Sequence, residues 1–329
     1  MGVRKVDSRT PAGFEPSDLG ETVTTQDGSC SLVSFQTSPI STRHENTYVL
    51  FVTDPGLAGS VKTYEWFIAE DGAVPLTSQS EVGEILHQPD NIGNISVTAR
   101  LLDATETVLK TVQINQEVGP LNPALEQLIA DAESNPGPGA SNEDVIREMV
   151  NEYYGYYQSV APQAPEPDDA FKRFVCGLIF DGILKKTRDE RKALLNRLFE
   201  CIENDDTELS SIAGEGVGTG AIRLALLAMI FPTASPLLDW VELPGAANEN
   251  AVADQDLRQK LDLLSEDDKI DLINLVRFPK TNIAFTARIV ETLRDRYFPG
   301  TTFNDVVTGL SGTRAHWISQ HYYQGPLMR

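Results

Sequence analysis

The chain has no apolar run long enough to cross a bilayer. Its most apolar stretch, Ala221-Ile-Arg-Leu-Ala-Leu-Leu-Ala-Met-Ile-Phe231, covers 11 residues and includes Arg223, where a spanning helix needs about 20. It reads instead as a buried helix from Gly220 to Phe231, stopped by Pro232. No apolar segment follows Met1 either: Met1-Gly-Val-Arg-Lys-Val-Asp7 is polar, so no secretion signal is expected. Positive charge is scarce, with 27 Lys and Arg against 48 Asp and Glu and a formal charge of −21. The deficit is steepest in residues 119–167, which hold 8 acids and 1 base. Such a field repels phosphate backbones and anionic lipid surfaces. Nucleic-acid and membrane partners are therefore excluded, and the acidity reads as solubility.

Cysteine and histidine are also few. Cys30, Cys176 and Cys201 cannot all pair within one chain and show no C-x-x-C spacing. They read as buried free thiols, the last two on apolar helix faces. His316 and His321 are five residues apart, a poor match to one helix face, and no H-E-x-x-H pattern occurs. No metal site and no cofactor is expected. A G-x-S-x-G nucleophile elbow is missing too. Gly214-Glu-Gly-Val-Gly-Thr-Gly220 precedes the expected helix, but it lacks G-K-[ST] and a preceding strand, so it reads as a loop rather than a phosphate cradle. Two carboxylates merit watching as general acids, Glu215 in that glycine loop and Asp181 inside an apolar helix, because an acid among apolar neighbours has a raised pKa. Neither belongs to a recognisable catalytic motif, and the catalytic set is otherwise empty.

What is present is organised in four parts across 329 residues, enough for two cores. Residues 1–28 are rich in Ser, Thr, Gly, Pro and acids and read as an extended arm. Such an arm leans on a partner surface or packs on its own domain. Residues 29–118 read as β. Cys30–Phe35, Tyr48–Thr53, Thr63–Ile68, Ile95–Leu101 and Thr107–Ile114 are short strand-like runs, the last two alternating with period two. Asp54-Pro-Gly and Glu70-Asp-Gly72 are turn signals. Together they argue for an antiparallel sandwich of roughly 80–90 residues. Residues 119–168 form a Pro/Gly-rich hinge with one or two helices. One of these is opened by the capping box Ser141-Asn-Glu-Asp144 and carries Tyr153, Tyr154, Tyr156 and Tyr157. Residues 169–329 read as an all-α domain with a C-terminal tail bearing Trp317, Tyr322 and Tyr323. The fold class is thus multidomain α and β, an N-terminal antiparallel β-sandwich plus a C-terminal helical domain.

The strand region resembles a PKD-type, immunoglobulin-like domain. The matching residues are Asp54-Pro-Gly after an early strand, Tyr64-x-Trp66 on a central one, and Gly93, Val97, Ala99, Leu101 and Asp103 in a G-x-x-x-V-x-A-x-L-x-D pattern. The turn after Trp66 is longer than the family's W-x-F-G-D-G. The resemblance makes Trp66 the core tryptophan and implies a non-catalytic module for protein or glycan contact, or a spacer, usually outside the cytoplasm. Tyrosines favour interfaces because each joins a large apolar body to a polar tip. Tyr153, Tyr154, Tyr156, Tyr157, Trp317, Tyr322 and Tyr323 are therefore the expected interaction residues.

The expected function is a non-enzymatic structural or interaction protein that binds other protein subunits. A virion, a phage-tail-like contractile particle or another large bacterial assembly would carry such a module out of a cell without a signal. Glycan is a further ligand class. Two alternatives stand beside this: a cell-wall glycan hydrolase with a PKD-like targeting module and a helical catalytic domain, and a cytosolic adaptor. The sequence assigns no compartment.

Overall fold

Strands form where side chains alternate between a buried and a wetted face, and the N-terminal part is built on that period. The computed structural model describes residues 2–42, 45–120, 169–184, 186–203, 208–212, 215–218, 222–223, 261–308 and 313–324. The expected hinge, with its capping box and its tyrosines, lies outside the described residues. The chain divides into two units, Met1–Gly155 and Tyr156–Arg329.

The first unit holds two sheets. One is antiparallel, in the order β1 (Glu21–Thr24), β2 (Cys30–Ser34), β4 (Asn46–Val52), β7 (Glu84–His87). The other runs β3 (Ile40–Ser41), β9 (Val108–Gly119), β8 (Gly93–Leu102), β5 (Thr63–Glu70), β6 (Leu76–Ser80). Its pairs are antiparallel except that β3 lies parallel to the end of β9. After β2 the chain therefore leaves the first sheet and joins the second. Both sheets feed one buried cluster: Leu32, Tyr48, Leu50 and Val52 from the first, and Tyr64, Trp66, Ile68, Ile95, Val97, Leu101 and Ile114 from the second. Trp66 is fully buried and stands opposite Ala99 on β8 and Ser78 on β6. Cys30 belongs to the same cluster, and burial pushes its thiol up.

The strands β1, β3, β6 and β7 have no counterpart in the sequence reading. Asp54-Pro-Gly, expected as a turn, instead opens a short helix. The Asp54 carboxylate accepts from the Leu57 N–H at 2.8 Å and Pro55 takes the first position of α2 (Pro55–Ser60).

Residues 2–20 are packed on their own unit rather than extended. Val6, Asp7 and Leu19 are fully buried. A 3-10 turn, Lys5–Asp7, lies against β4, and α1 (Pro16–Leu19) lies against β2. Arg4 donates to Asp7 at 2.6 Å and to Glu84, on β7, at 3.0 Å. At the end of the arm the backbone comes so close to β2 that a Cβ on Gly20 would sit 2.1 Å from the Ser34 carbonyl oxygen. Only glycine allows that approach.

The second unit is mainly helical: α3 (Asp169–Leu184), α4 (Arg188–Glu203), α5 (Glu266–Arg277), α6 (Pro279–Tyr297), α7 (Phe303–Thr308) and α8 (Thr313–Gln324). Its caps follow from sequence. The Thr187 N–H donates to Glu190 at 2.7 Å and the Glu190 N–H to the Thr187 hydroxyl at 3.3 Å, a reciprocal box. The Glu190 carboxyl is held below its ordinary range chiefly by that backbone bond. Ser265 caps α5 by accepting from the Asp268 N–H at 3.1 Å. Pro279 then starts α6 immediately after Phe278.

Two features depart from the all-α reading. Gly216–Val217 and Ile222–Arg223 pair as a short antiparallel ladder, β10 and β11. Gly216 and Val217 are therefore one arm of a β10–β11 hairpin, and Ile222 and Arg223 are strand rather than the start of a helix. The second is a run of polar burial along α5 and α6: Asp271, Asn274, Arg277, Asn282 and Thr286 are all buried. Arg277 sits over the rings of Phe199, at 5.0 Å, and Phe278, at 5.4 Å, an arrangement that offsets part of the cost of burying its charge. The Asn282 amide donates to the carbonyls of Val217 at 3.2 Å and Val276 at 3.0 Å, tying the hairpin to the end of α5.

Candidate interaction surface

At one end of the first unit the core gives way to a polar layer. Along β5, Tyr64, Trp66 and Ile68 point into the core, and the next residue with that orientation is Glu70. Along β7 the matching inward position is His87, ladder partner of the buried Asn46. Glu70 and His87 meet there in a hydrogen bond, both side chains largely buried. The layer continues through Asn46, which donates to the Ser34 hydroxyl at 2.7 Å. Next comes Gln116, which accepts from the Tyr48 hydroxyl at 3.1 Å and donates to Glu21 at 2.8 Å and to the Gln36 carbonyl at 2.9 Å. Polar groups removed from water need such partners.

This layer fixes the loops beyond it. The other Glu70 oxygen accepts the Asp90 N–H at 2.8 Å. The next residue, Asp71, accepts the Asn94 N–H at 2.8 Å and its side-chain amide at 2.9 Å. Two adjacent carboxylates thus pin the β7–β8 loop at Asp90 and at Asn94. Ile92, midway between the pins, is 63% exposed, and Val74, just past Asp71 in the β5–β6 turn, is 91% exposed. Leu76, at the start of β6, and Leu86, on β7, are also exposed. Four large aliphatic side chains therefore stand in water around the β6 and β7 edges, and the loop residue Ile92 is held there by hydrogen-bonded backbone on both sides.

These residues carried no periodic signal. Val74 lies in Gly72-Ala-Val-Pro75 and Ile92 in Asp90-Asn-Ile-Gly93. A large aliphatic residue inside turn chemistry is the sequence feature that would have singled them out.

Of the residues expected to make contacts, Tyr322 alone has a described side chain. Tyr153, Tyr154, Tyr156 and Tyr157 lie outside the described residues, as do the side chains of Trp317, Tyr323, Asp181 and Cys176. Tyr322 is corrected. It is almost fully buried, and its hydroxyl bonds that of Thr286 at 3.0 Å, so it belongs to the helical unit's core. Burial pushes its phenol above the ordinary range. Ile318, four residues earlier on α8, is buried beside it, the i, i+4 spacing of one helix face. Tyr322→Phe is expected to lower the stability of this unit by about 1 kcal/mol, the worth of one buried hydrogen bond, as read from the urea midpoint. Glu215 is half-exposed and accepts from Lys186 at 2.6 Å, the surroundings of an ordinary surface carboxylate rather than of an acid among apolar neighbours. Cys201 is a buried thiol. Among the described residues no three His, Cys, Asp or Glu side chains gather as metal ligands, and no helix is long and apolar enough to cross a membrane.

The chain matches no family model and no curated protein sequence. Among solved structures it is similar to a beta-1,2-glucanase from Parabacteroides distasonis at 11% identity, over 56% of this chain and 24% of the glucanase, with a TM-score of 0.23. The chain spans about a quarter of that protein's length, and a likeness this loose carries no argument about fold or activity.

Proposed function

We propose that this chain is a non-enzymatic structural or interaction protein that binds other protein subunits through its two-sheet unit and its helical unit. Its setting is a large assembly such as a virion or a phage-tail-like contractile particle. The observation that carries this is the apolar end of the first unit, with Ile92 held in water between two backbone hydrogen bonds and Val74 exposed in the β5–β6 turn. A side chain kept exposed and ordered is prepaid for docking, because little conformational entropy is left to lose on contact.

The first unit is proposed to be an immunoglobulin-like β-sandwich of the PKD type. Strand order supports this: β2, β4 and β7 stand as strands A, B and E of one sheet, and β9, β8, β5 and β6 as G, F, C and C′ of the other. Trp66 then lies on strand C, where this architecture places its core tryptophan.

Purification of the full chain from its native source, with identification of the chains that accompany it, tests the reading. The expected result is a high-mass particle or a ring of copies; recovery as a free monomer overturns it. Val74→Glu together with Ile92→Glu is expected to abolish co-sedimentation with the particle. Both sites are exposed, so the unfolding midpoint should move by no more than about 0.5 kcal/mol per site. Unchanged co-sedimentation would remove this surface from the interface.

A further inference from the structure

The two lateral sides of the first unit are finished differently. On one side β9 is bridged to the first sheet by side chains, Lys110 to Asp27 and Gln116 to Glu21, and its end is covered by β3. On the other side β6 pairs with β5 and is the last strand of its sheet. Its outward row of N–H and C=O groups is a template for one more strand. Edge strands are ordinarily blunted by a lysine, an internal proline or a bulge. Leu76-Thr-Ser-Gln-Ser80 has none of these: its register against β5 runs unbroken from Ile68↔Leu76 to Tyr64↔Ser80, and the only proline, Pro75, precedes it.

Charge selects the occupant. Between Lys62 and Arg100 the sequence contains Glu65, Glu70, Asp71, Glu81, Glu84 and Asp90 and neither lysine nor arginine. This segment builds β5, β6 and β7, so the open edge lies in an acidic stretch of the unit, in which Glu84 and Glu65 are paired with Arg4 and Arg100. A second copy would bring a net charge of −21 against the same sign, and like charges brought together resist pairing. A basic strand meets the opposite condition.

We propose that β6 is a docking edge that takes an extended, net-basic segment of a partner protein as an added antiparallel strand. The inference rests on the protein-binding reading above and names the chemistry of the partner. Backbone bonds supply the affinity and alternate side chains the specificity. Because the added strand runs against β6, its first residues lie near Glu81 and its last near Leu76 and Val74. Lysine or arginine is expected at the Glu81 end, with an aliphatic residue opposite Leu76.

The test uses the full chain and synthetic peptides of about eight residues, an ordinary strand length. Each alternates valine or threonine with lysine, with glutamate or with serine. The lysine peptide is expected to bind, to weaken with added salt, and at saturation to slow hydrogen exchange at residues 76–80 by about tenfold or more. The double variant Thr77→Lys, Gln79→Lys, both at exposed positions, is expected to bind it about tenfold more weakly. Equal binding of the lysine and glutamate peptides overturns the inference, as does binding that leaves exchange at 76–80 unchanged. Self-association of the chain that the double variant abolishes also overturns it, since the edge would then serve a second copy. The exchange measurement on the unaltered chain decides the matter even if the variant folds poorly. Recovery of the native protein as a free monomer sinks the protein-binding reading itself; a native particle in which residues 76–80 exchange freely keeps that reading and removes this edge.

Discussion

Trp66→Ala is expected to remove most of the stability of the two-sheet unit, about 4 kcal/mol. The indole is fully buried in the cluster that both sheets feed and is the largest fully buried side chain among the described residues. Its ladder partners are the small residues Ala99 and Ser78, so neither directly opposite side chain is bulky enough to fill the void by a rotamer change. Against a total stability of order 5–15 kcal/mol for a domain, the loss is a large part of the whole. The measurement is the urea midpoint, together with hydrogen exchange in β4, β5 and β8. Two controls on the same strand locate the cause. Phe67→Ala alters the adjacent, part-exposed position, where the ring lies under the Arg100 guanidinium at 4.3 Å; it is expected to cost about 1 kcal/mol. Trp66→Phe keeps an aromatic body and loses no hydrogen bond, because the buried indole N–H makes none in the structure; it should cost about 2 kcal/mol. A Trp66→Ala midpoint close to the original would show that the two sheets do not depend on this side chain.

Gly218→Ala is expected to be nearly as severe in the helical unit. Gly218 has φ of +67°, in the left-handed region, where a side chain costs of order 1–3 kcal/mol. Space is the larger obstacle. A Cβ there would lie 2.2 Å from the Val276 carbonyl oxygen and 2.3 Å from the Asn282 side-chain nitrogen. That amide already bonds the carbonyls of Val217 and Val276, so relieving the clash breaks the tie between the hairpin and α5. Strain and lost hydrogen bonds together amount to about 4 kcal/mol. Exchange in α5 and α6 should accelerate accordingly, while the strands of the first unit keep their rates. Asn282→Ala is expected to reproduce about half of the effect, since it removes the two donated bonds without the clash. A neutral Gly218→Ala would mean that the hairpin moves freely away from α5.

What the sequence revealed follows the strength of its periodic signals. The runs Tyr48–Thr53, Thr63–Ile68 and Ile95–Leu101 have large or β-branched residues and appear as β4, β5 and β8. Thr187 and Ser265 are residue types that favour helix starts, and both appear as caps. Strand β6 was invisible because Leu76-Thr-Ser-Gln-Ser has one apolar residue; an edge strand buries little and so needs little hydrophobic pattern. The arm looked extended because its composition is polar, yet three fully buried residues, Val6, Asp7 and Leu19, anchor it, and composition averages such points away. Ile222 and Arg223 stand at the start of the apolar run that reads as a helix from Gly220 to Phe231; a local apolar stretch fits either period and does not distinguish the two. Tyr322, an expected contact residue, fits a buried helix face with Ile318, while the exposed Val74 and Ile92 sit singly in turns.

The arm also sets an order of events during synthesis. Arg4 leaves the ribosome 80 residues ahead of Glu84, its partner on β7. Domains made at roughly 5–20 residues per second keep such a segment waiting for several seconds. Through that interval Val6 and Leu19 have no finished sheet to cover. The first part of this unit to be made thus waits for one of its partners, and its docking on β7 closes a loop of 80 residues.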